Sequence, residues 1–242
     1  QGHIRVAQCI FLHSLPIQKS SEPGKYKYRS FGLQCRMEKF VIRNIVFDFG
    51  GVLVDWNPEY LFRGVFRNRT EMDHFLENVC TSDWNEQQDA GRPLSEAIRV
   101  LQAKHPEYHE EIRLYYEKWT TMLGGPIEES VALLEPLKAG YRLFGLTNWS
   151  AETFPIARDM YPFFELFDGI VISGEEKLKK PDERIYRVLL ERYGLDAAEC
   201  LFIDDRSVNV QAASDLGFQA IHLEDRGTLE AELARMGITA PA

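Results

Sequence analysis

Asp48 closes the apolar run I-R-N-I-V-F-D at 42–48 and is followed, after Phe49, by the small pair Gly50-Gly51. Three more polar signals stand at or just beyond the ends of apolar runs: Thr147-Asn148, Lys180-Pro181 and Asp204-Asp205. Each has a bland reading alone. An aspartate can satisfy a turn, a threonine can cap a helix, and a lysine can be a solvated charge. Together, in this order, they suit one chemistry. A pre-positioned carboxylate can attack an electrophilic centre and form a covalent intermediate. Phosphorus is such a centre, and its anionic oxygens demand compensating charge. An aspartate pair beside the nucleophile can hold Mg²⁺, which prefers hard oxygen ligands and substrate phosphate. A hydroxyl, an amide and one cation (Thr147, Asn148, Lys180) can hold the remaining phosphoryl oxygens. The glycines let backbone approach closely. Catalysis would be positioning plus electrostatics, as phosphoryl transfer requires.

Such a set works only if the chain brings it together. The runs Ile42–Asp48, Arg142–Thr147, Gly169–Ser173, Leu201–Asp204 and Ala220–Leu223 read as buried strands. Helical spacing marks Ile127–Ala139, Arg184–Tyr193 and Val208–Leu216, stopped by Gly140, Gly194 and Gly217. Alternating strands and helices predict an α/β fold, a Rossmann-like parallel sheet with helices on both faces. In such a sheet, ligands bind beyond the C-terminal strand edge, where all four signals fall. Residues 56–125 break the rhythm. They are charged, helix-like, anchored by aromatics such as Tyr60, Phe62, Phe75, Trp84 and Tyr115, and carry no convincing strand. They read as an all-helical insert after the first strand.

The pieces F-D-F-G-G-V-L-V-D at 47–55, L-T-N at 146–148, K-K-P-D-E-R-I-Y at 179–186 and F-I-D-D-R-S-V-N at 202–209 resemble the haloacid dehalogenase-like (HAD) hydrolase superfamily. The resemblance spans Asn44 to Leu223. It implies a core formed by residues 37–55 and 126–242, with 56–125 as an inserted helical cap. The opening F-D-F-G-G and W-N-E-Q-Q-D-A-G-R-P-L-S-E at 84–96 are similar to a subgroup containing bacterial alpha-D-glucose-1-phosphate phosphatase. The resemblance implies Asp48 as the nucleophile that becomes an aspartyl phosphate. It also implies Mg²⁺ held by Asp48, the Gly50 carbonyl and the acidic pair, with Asp205 the direct ligand, Asp204 behind it and Asn209 fixing the two. Thr147 and Asn148 would grip the phosphoryl group, and Lys180 would bridge it to Asp48.

One departure stands out. Most family phosphatases carry a second aspartate two residues after the nucleophile as general acid and base, and here that position is Gly50. A backbone carbonyl can still bind metal, but a lost acid costs on the order of 10²–10⁴ in rate. A substrate with a good leaving group, such as an anomeric sugar phosphate or acyl phosphate, would need less protonation. Asp55, Glu86 or Asp89 are the alternative proton sources. The first escape, with a sugar 1-phosphate as substrate, is the expectation.

Trp84 and Trp149 are candidates to stack on a sugar face, although packing is the commoner role of buried aromatics. The spaced pair His105 and His109 lacks an accompanying carboxylate motif and reads as structural. Two other functions compete. A metal-free 2-haloacid dehalogenase would share the nucleophile, but Asp204-Asp205 argues for metal. A noncatalytic HAD-fold binding module is suggested only by the missing acid.

Charge bounds the partners. Of the 242 residues, the first 36 carry six bases and one acid, and the rest carry 22 bases against 36 acids, a body of −14. Nonspecific nucleic-acid binding is unfavourable for such a body. The expected partner is a small-molecule phosphate ester, with no nucleic acid and no membrane; the sequence is silent on oligomeric state. No apolar run is long enough to span a bilayer. Four scattered cysteines form no C-x-x-C pair, which fits a reducing compartment and a cytoplasmic location. The basic segment 1–36 lacks periodicity and reads as a non-native or leader extension, set apart from the fold.

Overall fold

The computed structural model describes residues 41–239, and the extension expected over 1–36 lies outside the described residues. The elements run β1 (Asn44–Phe47), β2 (Val54–Trp56), α1 (Glu59–Phe62), α2 (Arg69–Asn78), α3 (Ser82–Asp89), α4 (Leu94–Lys104), α5 (His109–Glu117), β3 (Leu123–Pro126), α6 (Glu128–Val131) and α7 (Leu134–Lys138). They continue with β4 (Arg142–Thr147), α8 (Phe154–Met160), β5 (Gly169–Ile172), α9 (Ser173–Glu176), α10 (Glu183–Tyr193), β6 (Cys200–Asp204), α11 (Ser207–Asp215), β7 (Gln219–His222) and α12 (Leu229–Arg235).

Five strands form one parallel sheet in the order β5-β4-β1-β6-β7. The central strand β1 is buried at every residue, as its unbroken N-I-V-F run requires. Its side chains divide between two cores because strand residues alternate faces. Ile45 and Phe47 join Leu143, Leu201 and Ile203 under α7, α8 and α12, while Val46 joins Phe144 and Phe202 under α10 and α11. The helix α10 starts where the Asp182 carboxylate accepts the Arg184 N–H and stops at Gly194 in the left-handed region. The register pairs Phe47 with Gly145 and with Ile203, so Asp48, Thr147 and Asp204 emerge at one edge.

Two expectations are corrected. The all-helical insert expected over 56–125 is bounded by strand instead: β2 and β3 form an antiparallel ribbon pairing Val54 with Pro126 and Asp55 with Gly125. The segment L-G-G-P of β3 has poor strand propensity and three or four residues show no period, so only tertiary pairing makes it a strand. A Cβ at Gly124 would lie 2.2 Å from an Asp55 carboxylate oxygen, so a larger residue there would push the Asp55 side chain aside. The single helix expected over Ile127–Ala139 is two short ones, α6 and α7. Pro136 has no N–H to donate to the Ala132 carbonyl, and the chain breaks at Ala132-Leu133.

Helices α1 to α5 lie between the ribbon strands. Phe62, Phe75 and Tyr115 pack as a ring cluster, with centroids 4.9 Å apart for Phe62–Phe75 and 5.9 Å for Phe62–Tyr115. This cluster is continuous with the core under α7, α8 and α12. Among the described residues no helix is long and apolar enough to cross a membrane.

Candidate active site

Phe49 fixes the backbone of Asp48. Its ring is buried between Phe154, Phe164 and Phe167, and its carbonyl accepts the N–H groups of Leu53 and Val54 at 2.8 Å each. The chain then turns through Gly51, whose φ of +77° favours glycine, and a Cβ there would lie 2.3 Å from an Asp205 oxygen. The tight turn therefore lets the β1 loop touch the β6 loop.

Lys180 stands between two carboxylates. Its Nζ lies 2.8 Å from an Asp48 oxygen and 2.7 Å from an Asp204 oxygen, with the ammonium 5.4 Å from the Phe202 ring centroid. Its side chain has no exposed surface. Burial would lower the Lys180 pKa, but Asp204 and Asp48 outweigh it and hold the ammonium charged. Asn148 locks the lysine loop from across the strand edge: its amide donates to the Lys180 carbonyl at 3.0 Å and its oxygen accepts the Lys180 N–H at 2.8 Å.

The two aspartates of the pair differ sharply. Asp204 is buried and fully engaged, accepting from Lys180, from the Arg206 N–H at 2.8 Å and from the Asn209 amide at 3.0 and 3.1 Å. Tyr186 on α10 steadies this arrangement by donating to the Asn209 carbonyl at 2.9 Å. Asp205 is exposed to the cavity. One oxygen each of Asp48, Asp204 and Asp205 lies within 4.8 Å of the others. Burial pushes the Asp48 carboxyl up to about 7, with Asp204 and Asp205 adding to the rise against the pull of Lys180. Burial and Asp204 raise Asp205 as well. Three carboxylates around one lysine leave excess negative charge, and a divalent cation would reverse these shifts.

The edge opens into a cavity of about 380 Å³ lined by Asp48, Gly50, Asp89, Trp149, Asp205 and Arg226, among others. A wider depression of about 700 Å³ sits at the opposite ends of the strands, near Asn44 and Arg142, and contains none of the strand-end carboxylates. Chemistry, not size, locates the site.

The structure gathers Asp48, Gly50, Asn148, Lys180, Asp204 and Asp205. Thr147 is 1% exposed with an unpartnered hydroxyl at the end of β4. Trp149 lines the cavity, and its indole N–H donates to Thr153 at 3.1 Å. Trp84 is not among the lining residues; it packs edge-on to Tyr115 at 5.2 Å. His105 and His109 each face a separate glutamate, Glu107 and Glu110.

Sequence reasoning passed over Lys179, Arg206 and Arg226. Lys179 and Arg206 both pair with Glu86 on α3, the latter at 2.9 Å. Burial raises the Glu86 carboxyl, but the two cations win and hold it below the usual range. Arg226 binds Asp55 at 2.8 Å, and Tyr60 donates to the same carboxylate at 2.6 Å. The available signal was adjacency, since Lys179 precedes Lys180 and Arg206 follows Asp205.

Residues 42–217, most of the chain, match the haloacid dehalogenase-like hydrolase family. The chain belongs to that family. This hydrolase is 29% identical over 181 residues to the sesquiterpene phosphatase of Aspergillus oryzae, covering 74% of this chain and 89% of the relative. It is 21% identical to the D-ribitol-5-phosphate phosphatase of Bacteroides thetaiotaomicron, covering 80% and 97%. Among solved structures, a predicted HAD-like hydrolase from Porphyromonas gingivalis superposes with a TM-score of 0.59 at 26% identity, covering 81% of this chain and 98% of that one. A HAD family enzyme from B. thetaiotaomicron, in complex with magnesium and inorganic phosphate, shares the fold with a TM-score of 0.55 at 21% identity, covering 74% and 93%.

Proposed function

We propose that this hydrolase is a Mg²⁺-dependent phosphatase that removes phosphate from a small phosphorylated metabolite through a phosphorylated Asp48. The observation carrying this reading is the convergence of Asp48, Asp204 and Asp205 within 4.8 Å beside Lys180.

Each residue takes a role from its surroundings. An Asp48 oxygen attacks phosphorus and the ester P–O bond breaks. Lys180 neutralises phosphoryl oxygens, and Thr147 offers its unpartnered hydroxyl to them. Asn148 orients Lys180 through both of its amide atoms. Trp149 walls the cavity, and Trp84 anchors α3 against Tyr115 of α5. The donor set fits a hard divalent cation: Asp48, the Gly50 carbonyl and Asp205 would hold it, and Asp204 would fix the charge behind them. When bound, Mg²⁺ would neutralise charge developing on the phosphoryl group. Residues 56–125 would act as a cap over the core.

The phosphatase relatives support this reading. The chain also matches the (S)-2-haloacid dehalogenase 4A of Burkholderia cepacia, at 27% identity over 100 residues, covering 41% of the chain. Metal-free dehalogenation has no use for the open carboxylate of Asp205, and phosphate transfer does.

Magnesium supplies a test independent of turnover. At a hundred times its Kd, a bound ion stabilises by about 2.7 kcal/mol, which for a chain of this size raises Tm by roughly 5–10 °C. Mg²⁺ should produce that shift in calorimetry, and Asp205→Asn should erase it without lowering the metal-free Tm. An undiminished shift in the variant removes Asp205 from the site. Phosphate release should stop in EDTA and return with Mg²⁺.

The finer reading is a sugar 1-phosphate as substrate, in a subgroup with alpha-D-glucose-1-phosphate phosphatase. The opening F-D-F-G-G and the stretch at 84–96 support it, being similar to that subgroup. Turnover of sugar 1-phosphates should exceed that of sugar 6-phosphates. Equal or reversed rates sink this part alone.

A further inference from the structure

Proton transfer to the leaving oxygen has no carrier among the residues placed so far. Gly50 offers no side chain, and a Cβ built there meets nothing within 4 Å, so the space beside the nucleophile is open. The donor must reach in from another wall. The ionisable groups lining the cavity are Asp48, Glu86, Asp89, Asp205, Arg206 and Arg226. Asp48 is the nucleophile and Asp205 faces the metal. Glu86 is held ionised between Lys179 and Arg206. Asp55 is outside the lining, and Tyr60 and Arg226 outweigh its burial to keep it ionised. Arginines do not release protons at neutral pH.

We propose, building on the phosphatase reading, that Asp89 is the general acid and base of the reaction. It closes α3, and the core holds it in place. Ser173 donates to the Asp89 carbonyl at 2.5 Å and accepts the Trp149 N–H at 2.9 Å, tying Asp89 to the loop that carries Thr147 and Asn148. The Asn85 amide donates to the Asp89 carboxyl at 3.3 Å. No ion pair engages Asp89 among the described residues.

The surroundings suit both roles. The charged groups nearest it are Glu86 on its own helix and Lys179 beside α10, and Tyr115 and Tyr116 on α5 feel its charge. Burial and then Glu86 push its carboxyl up to about 7, against Lys179 and the Ser150 N–H. Near neutral pH it is therefore both a competent donor and a competent acceptor.

The steps balance. As an Asp48 oxygen bonds to phosphorus, the ester P–O bond breaks and the leaving alkoxide takes the Asp89 proton. A water then attacks phosphorus while ionised Asp89 takes its proton. The P–O bond to Asp48 breaks, inorganic phosphate leaves, and Asp48 and Asp89 return to their starting states.

The test uses two esters with Mg²⁺, one with a poor alkyl leaving group and one, p-nitrophenyl phosphate, with a good one. Asp89→Asn should lose on the order of 10²–10⁴ in turnover of the alkyl ester. The first burst of p-nitrophenolate should stay within a few-fold of wild type, and acid-quenched protein should then carry accumulated phosphate on Asp48. In wild type, alkyl-ester turnover should fall above about pH 7 while the burst does not. Equal losses on both esters, no accumulated phosphoprotein, or matching alkaline limbs overturn the assignment. Wild type silent on both esters overturns the phosphatase reading itself.

Discussion

Asp48→Asn should abolish turnover, by on the order of 10⁴–10⁶-fold, and leave the protein folded and no less stable than wild type. Loss of a nucleophile in a site that works as a unit has effects of that size. The stability half follows from burial. Asp48 is 7% exposed, and its carboxyl is pushed up to about 7 because burial and two neighbouring carboxylates cost more than Lys180 returns. A neutral amide of the same shape relieves that cost, and Lys180 keeps Asp204 at 2.7 Å. Phosphate release and calorimetry in EDTA check both halves. Residual turnover within 100-fold of wild type means that another group attacks phosphorus.

Lys180→Met should damage stability and rate together. Its ammonium faces both Asp48 and Asp204, and among the described residues no other side-chain cation pairs with either. Removing one partner from a buried ion pair typically costs about 3–5 kcal/mol, because the remaining charge is stranded. The pH dependence has a definite sign. Without Lys180, the Asp48 carboxyl loses the one influence that pulls it down and rises further above its unfolded value. Protonated carboxyls cost least, so the deficit should be small below about pH 4 and grow as pH rises through neutrality. Denaturant titrations at pH 4 and pH 8 in EDTA measure it. Turnover at a temperature where the variant is folded should fall on the order of 10²–10³-fold, as expected for losing one preorganised charge. A deficit independent of pH would show that the lysine acts through its alkyl chain and the Phe202 contact instead.

The parts of the site legible in the sequence share one physical cause. A parallel sheet sends every C-terminal strand end to one edge, so Asp48, Thr147 and Asp204 could be grouped once their apolar runs were recognised as strands. The family resemblance puts Asp205 in front as the direct ligand and Asp204 behind it, but neither residue type nor spacing says why the two differ. That distinction rests on Asn209 and the Arg206 N–H facing one and not the other. Asp89 could be named as one of three alternative proton sources, with Asp55 and Glu86, but not chosen among them, since its place in the cavity wall without an ion-pair partner is a tertiary property. Trp84 and Trp149 are identical as residue types, yet one packs on Tyr115 and the other lines the cavity. The strands of the ribbon β2–β3 are too short to show a period, and the break before α7 lies one turn ahead of Pro136, where helical spacing of the apolar residues runs on past the missing N–H.

Glu86 grips Lys179 and Arg206, the neighbours in sequence of Lys180 and Asp205. One turn further on, the same helix carries Asp89. Helix α3 is thus coupled to both loops that set the charge balance, and its end is held by the Ser173 hydroxyl. It cannot swing outward to admit a molecule without either snapping that double ion pair or dragging the two loops out of register. Admission of a substrate and alignment of the reacting groups are, for this chain, two ends of a single lever.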